Sequence, residues 1–223
     1  MKRLSIAVLF ALACGASASF AADDYRVEAI DSAPEGGELA AAIGERLAGK
    51  GLKIVTDQGR TLCEIWPVKS WQVAAGFAPS GEVNYPLELG ELVGVIRFAR
   101  NGGDFRGQKI RKGAYTMRYA LQPQDGNHVG TSDTRDFVVL VPAADDKDAK
   151  PLAKEKLFKQ STNASGTAHP AILSLLPPGK EANELPRMVQ HEGRGLWAVD
   201  FAGKSQDGGK VLVELVVVGH SAE

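Results

Sequence analysis

Short apolar runs rich in Val, Ile, Leu, Phe and Tyr recur along almost the whole chain, and clusters of Gly, Asp and Asn separate them. No other feature restricts the fold as much, because strands run about 4–8 residues and turn chemistry between them forces the chain back on itself. The runs are Tyr25 to Ile30, Leu52 to Thr56, Leu62 to Val68, Leu92 to Ala99, Ala114 to Leu121, Asp136 to Val141, Pro170 to Leu176, Pro186 to His191, Leu196 to Phe201 and Val211 to Val218. The last is nearly unbroken aliphatic sequence, as expected of a central strand. Asp57-Gln58-Gly59-Arg60 predicts a hairpin turn, and Asn101-Gly102-Gly103-Asp104, Gly193-Arg194-Gly195 and Gln206-Asp207-Gly208-Gly209 mark further turns. The pattern predicts a mainly β protein, an antiparallel β-sandwich rather than a βαβ fold.

One or two short peripheral helices are expected beside the strands. Ser32-Ala33-Pro34-Glu35 has a capping residue, a Pro in the first turn and Glu three places on, and Leu39, Ile43 and Leu47 then recur every four residues. Gly49 and Gly51 end that run, so about three turns are predicted. The charged stretch Asp145 to Lys154 reads as a surface excursion, with a modest helix over Leu152 to Lys159. Gly76 to Gly90 reads as an irregular connection.

The N-terminus has the three parts of a secretory signal: Lys2 and Arg3, the apolar Leu4 to Leu12, then small residues up to Ser19-Phe20-Ala21. Cleavage there, or three residues earlier after Ala18, leaves residues 22–223 as a single β-rich domain, periplasmic or extracellular. The apolar stretch is far shorter than the roughly 20 residues that span a bilayer, so no transmembrane helix is expected in the mature chain. Cys14 offers the alternative of lipid anchoring, although Leu12 stands where the acylation pattern has a small residue. Of the 2 cysteines only Cys63 then remains, which excludes an internal disulfide and makes packing the source of stability. Thr61-Leu62-Cys63-Glu64-Ile65-Trp66 is strand-like, and Cys63 is expected to be a buried structural thiol.

Lysine and arginine number 26 against 27 acids, a net charge of −1, so the chain has no global field for nucleic acid or an acidic membrane. Partners must be recognised locally. Arg97, Arg100, Arg106, Lys109, Arg111, Lys112 and Arg118 crowd one region in which Asp104 is the single acid. Two readings stand: a face that meets an anionic glycan or other envelope component, or solvated charges that protect edge strands. Arg111 and Arg118, with Arg135, are the arginines assigned to such a ligand. Few aromatics interleave them, which argues against a nucleic-acid platform.

The segment Lys112-Gly113-Ala114-Tyr115-Thr116-Met117-Arg118-Tyr119 resembles a strand of transthyretin-like and carboxypeptidase-regulatory-like extracytoplasmic sandwiches. The wider run to Arg135-Asp136-Phe137 also resembles exported bacterial proteins without an assigned function. The resemblance covers about a tenth of the chain and implies an Ig-like or transthyretin-like sandwich, with no catalytic residue carried over.

The richest polar loop lies between Leu121 and Asp136. Asp125, His128 and Asp133 are ligand types for a divalent metal, and His169 is the candidate for a further ligand from afar. The spacing matches no metal motif, and the same residues also read as turn formers and strand caps. His191 follows Met188 at a separation that puts them on opposite faces of a strand, which disfavours a shared copper ion. The sequence lacks the G-x-S-x-G and S-x-x-K patterns of nucleophilic enzymes. The leading expectation is a non-enzymatic envelope module that binds a ligand through its loops, with a metal-binding protein or metal-dependent enzyme built on His128 and His169 as the alternative.

Overall fold

A computed structural model describes residues 24–34, 37–124, 132, 134–179 and 184–221. The signal segment, Cys14, Asp125, His128 and Asp133 lie outside the described residues. Twelve strands and two helices follow one another: β1 (Tyr25–Ile30), α1 (Ala41–Gly44), β2 (Gly51–Thr56), β3 (Thr61–Pro67), β4 (Leu92–Phe98), β5 (Gly102–Gly103), β6 (Lys109–Ile110), β7 (Gly113–Leu121), β8 (Asp136–Pro142), α2 (Lys154–Ser165), β9 (Ala171–Leu176), β10 (Arg187–His191), β11 (Leu196–Lys204) and β12 (Lys210–Val218). The fold is mainly antiparallel β with two short helices, as the alternation of apolar runs and turns requires. Ten of the strands form one sheet in the order β1-β2-β3-β4-β7-β8-β9-β12-β11-β10, which curls until β1 and β10 touch and the sheet is nearly closed. Tyr25 and Trp197 meet edge to face at that seam, their ring centroids 5.5 Å apart.

The period of two along each strand sorts residues between the inside and the outside. On β7, Tyr115, Met117 and Tyr119 enter the main core, where they meet Cys63 and Ile65 of β3, Ile96 of β4, Leu140 of β8, Leu173 of β9, Phe201 of β11 and Val213 of β12. Ala120 of β7 with Val139 and Val141 of β8 forms a second apolar surface that Leu152 and Leu157 of α2's layer cover. Trp71 plugs one end of the curled sheet. Its indole Nε1 donates to Val93 O at 3.1 Å, and its backbone bonds to Lys204 at the end of β11 and to Gln206 just beyond it. A Cβ on Gly203 would lie 2.1 Å from that ring, so only glycine lets the indole seat there.

Both helices depart from the sequence reading. The periodic run after Ser32 yields only the single turn α1, with Ala40 as its N-cap, while Ser32 instead supplies a carbonyl to Trp66 Nε1 at 2.9 Å. Ile43 and Leu47 are buried as their spacing demands. Two facts stop the helix: Gly37 and Gly44 weaken it, and the backbone beyond is taken by the exit of β3, where Ala48 N bonds to Pro67 O and Leu47 bridges Val68. The second helix starts two residues later than expected and runs to Gly166, whose left-handed backbone (φ 68°) caps it. Leu152, just before its N-cap Ala153, is tied to the chain ahead of β4, its N–H bonded to Gly90 O at 3.1 Å.

The charged stretch 145–154 is a lid on the outer face of β7 rather than a free excursion. Arg118 lies fully buried beneath it, and every donor of its guanidinium is used. Nε and Nη2 grip Asp146 Oδ2 and Oδ1 at 2.7 and 3.0 Å, Nη1 donates to Gly90 O at 2.9 Å and Lys150 O at 2.8 Å, and Nη2 also reaches Asp148 O. Thr116 adds a 2.6 Å hydroxyl bond to Asp146 Oδ2. Gly90, at φ 81°, passes so close to the lid that a Cβ would sit 2.0 Å from Leu152 O. Removing one partner of a buried ion pair strands the other charge without water, which costs about 3–5 kcal/mol. Arg118→Met is therefore expected to lower the unfolding free energy by about that amount in denaturant titrations, and Arg118→Met with Asp146→Leu to recover most of it. A single substitution within about 1 kcal/mol of wild type contradicts the account.

Candidate functional site

The connection from β4 to β7 is the place where the expected basic region becomes a defined surface. Asp104, its single acid, is 1 % exposed and folds the connection around itself. Its Oδ1 accepts Arg106 N at 2.9 Å and Gln108 N at 2.7 Å, and its Oδ2 accepts Gln108 Nε2 at 2.8 Å and Ile172 N at 3.2 Å. Three N–H donors of the turn and one of β9 satisfy this carboxylate, and it forms no ion pair with the surrounding cations among the described residues. Gly107 (φ 77°) turns the chain back, and the β5–β6 ladder closes the loop. Phe105 is buried, and its N–H bonds to Ile172 O at 2.8 Å, so the turn docks on the edge of β9. That edge is free there because β9 pairs with β12 only through Leu175 and Leu176.

On this anchored turn Arg100, Arg106, Lys109, Arg111 and Lys112 are all exposed, and none forms an ion pair among the described residues. Lys112 is held by its backbone, its N–H bonding to Asn101 Oδ1 at 3.0 Å, and Arg111 O accepts the Tyr115 hydroxyl at 2.8 Å. Arg97, half-buried on β4, instead stacks 5.2 Å above Trp66 and bonds to Glu64 at 3.5 Å. The corner after α2 adjoins the basic turn: Thr167 donates to Gln108 Oε1 at 2.5 Å, and Gln108 Nε2 donates to Pro170 O at 3.0 Å. His169 lies in that corner, exposed, with its carbonyl accepting the Ser165 hydroxyl at 2.6 Å.

The three arginines assigned to a ligand from the sequence thus fall in three different settings. Arg111 belongs to the exposed turn. Arg118 is enclosed by the lid, with no donor left to offer. Arg135 is half-buried at the start of β8, where its Nε donates to Gln122 O at 3.0 Å and its N–H to Glu82 O at 2.8 Å. Of the candidate metal ligands only His169 is described, and among the described residues no group of three or more His, Cys, Asp or Glu side chains is placed to hold an ion. Asp136, beside the polar loop, is fully buried and accepts Tyr119 OH at 2.6 Å, Thr134 OH at 2.6 Å and Asn84 N at 2.8 Å.

Another polar group, on β10, β11 and β12, went unread in the sequence. Arg187 Nε bonds to Asp200 Oδ2 at 3.0 Å, and His191 Nε2 lies 2.7 Å from Glu214 Oε1. The members are scattered in sequence, and only strand pairing, with Arg187 and Glu214 both opposite Asp200, assembles most of them. Met188 packs toward the main core, away from His191's partner, as the strand period requires.

Cys63 is completely buried, and burial pushes its thiol well above the ordinary range. A thiol-specific reagent is therefore expected to leave the native protein unlabelled for hours and to label it within minutes in denaturant; rapid native labelling contradicts this packing. No family model, no curated protein and no solved structure matches the chain.

Proposed function

We propose that this chain is a non-enzymatic β module of the cell envelope, exported by its N-terminal signal, which binds an anionic glycan through the basic turn between β4 and β7. One observation carries the reading: one turn bears five exposed cations, and its only carboxylate is buried and hydrogen-bonded by N–H donors of the turn and of β9 rather than by those cations. Unpaired cations on a preorganised backbone attract a polyanion at little ordering cost. The contacts between turn and β9, and between Gln108 and Thr167, hold the surface in shape before a ligand arrives. Exposed charge attraction weakens as salt shortens the screening length to about 3 Å at 1 M.

The mature protein is expected to be retained on an immobilised sulfated glycan and released by salt, and Lys109→Glu with Arg111→Glu to elute much earlier. Retention that ignores both salt and charge reversal sinks the proposal. Mass spectrometry of the chain recovered from envelope fractions is expected to show an N-terminus at Ala22; an intact Met1 terminus would count against export by cleavage.

A further inference from the structure

Every glycine of the basic connection except Gly103 has a visible task in the fold. Gly107 and Gly113 adopt positive backbone angles (φ 77° and 143°), and a Cβ on Gly102 would press on the Phe98 ring at 3.3 Å. Gly103 has no positive φ, and a Cβ there would meet only Gln108 O, at an ordinary 3.8 Å. The fold would accept a side chain at this position, and a strand is weakened by lacking one. Instead, a strip of bare backbone lies exposed on the surface.

The β5–β6 ladder determines what borders that strip. Gly102 stands opposite Ile110, and Gly103 opposite Lys109. Residues directly opposite on antiparallel strands share a face. Ile110 is buried in the main core, so the Gly102–Ile110 face looks inward and the Gly103–Lys109 face looks out. Strand alternation returns Arg111 to the outward side, about 7 Å beyond Lys109. Arg100 and Lys112 alternate to the other side, and Arg106 belongs to the turn between the strands. Two of the five exposed cations therefore flank one bare shelf.

We infer that the anionic glycan of the proposed function lies flat on this shelf, a sugar ring against the Gly103 backbone and its anionic groups at Lys109 and Arg111. This placement rests on that function and narrows it. Charge alone would draw a polyanion toward all five cations in any orientation, whereas glycine at 103 clears room for a ring beside two of them. Close approach of a ligand to the backbone is a reason for a strand to give up a side chain. The ligand class favoured is a polymer with anionic groups on adjoining units, because two cations fixed on one face engage two linked groups at once.

The test adds volume at the shelf without changing charge. Gly103→Leu is expected to bind an immobilised sulfated glycan at least about tenfold more weakly than wild type while keeping the native far-ultraviolet spectrum, with Gly103→Ala falling between the two. Gly49→Leu, at an exposed glycine with open space around it just before β2, is expected to match wild type. β2 runs parallel to β4, so that control sits at the opposite end of the sheet from the connection that leaves β4. In the ¹⁵N-labelled wild-type protein a soluble sulfated glycan is expected to shift the Gly103, Lys109 and Arg111 amides saturably, which decides the matter if Gly103→Leu fails to fold. Wild-type affinity in Gly103→Leu, or a Gly103 amide that stays still at saturation, overturns the proposal. If Lys109→Glu with Arg111→Glu still elutes early in that case, the basic turn stands and only the shelf falls; absence of retention by wild type removes both.

Discussion

The guanidinium of Arg118 decides how the outer half of the molecule is arranged. Its five N–H groups collect one carboxylate and three backbone carbonyls from two separate stretches of chain, Gly90 and 146–150. A charge that leaves water must recover its hydrogen bonds from the protein, and here the geometry that recovers them also fixes the lid at 146–150 and the close pass of Gly90. Leu152 follows from that position, and α2 from Leu152. The helix then covers the second apolar surface on β8, so a polar contact orders a hydrophobic one.

A related economy operates at β9, which pairs with β12 through only two residues. Its edge opposite β8 is divided among unlike partners. Ile172 is met by the Asp104 turn, Leu175 and Leu176 pair with β12, and the Tyr85 hydroxyl inserts beside them, donating to Leu176 O at 2.6 Å and accepting from Glu214 N at 3.0 Å. The backbone groups of Ile172 and Leu176 thus find partners although no single strand follows the whole edge. The basic turn therefore rests on the part of the β9 edge that β12 leaves unpaired.

The strands were legible because short apolar runs bounded by turn residues fit buried strands, even where burial on both faces removes the alternation, as in β4, β8 and β12. Helix ends were less legible. Leu39, Ile43 and Leu47 have the right spacing, but the β3 exit competes for the same backbone, and that competitor lies some twenty residues away in sequence. Arg118 shows a sharper limit. Its neighbours on β7 alternate inward and outward, and it points outward, where arginine is normally solvated. Only the lid reverses this, and Asp146 gives no local sign of the role. The same holds for Asp104, read as a turn residue but acting also as a buried acceptor for β9, and for Asp200, whose partners come from flanking strands.

Closure of the sheet depends on strands from opposite ends of the described chain. Tyr25 of β1 meets Trp197 of β11, and β1 touches β10, so the first strand synthesised waits for nearly the last before its flank is covered. Contacts this far apart in sequence carry a large loop-closure entropy, which places folding among the slower, high-contact-order β topologies. Until β10 and β11 arrive, β1 can offer its open edge to other chains, which makes the nascent chain most vulnerable to aggregation before its final strands are made.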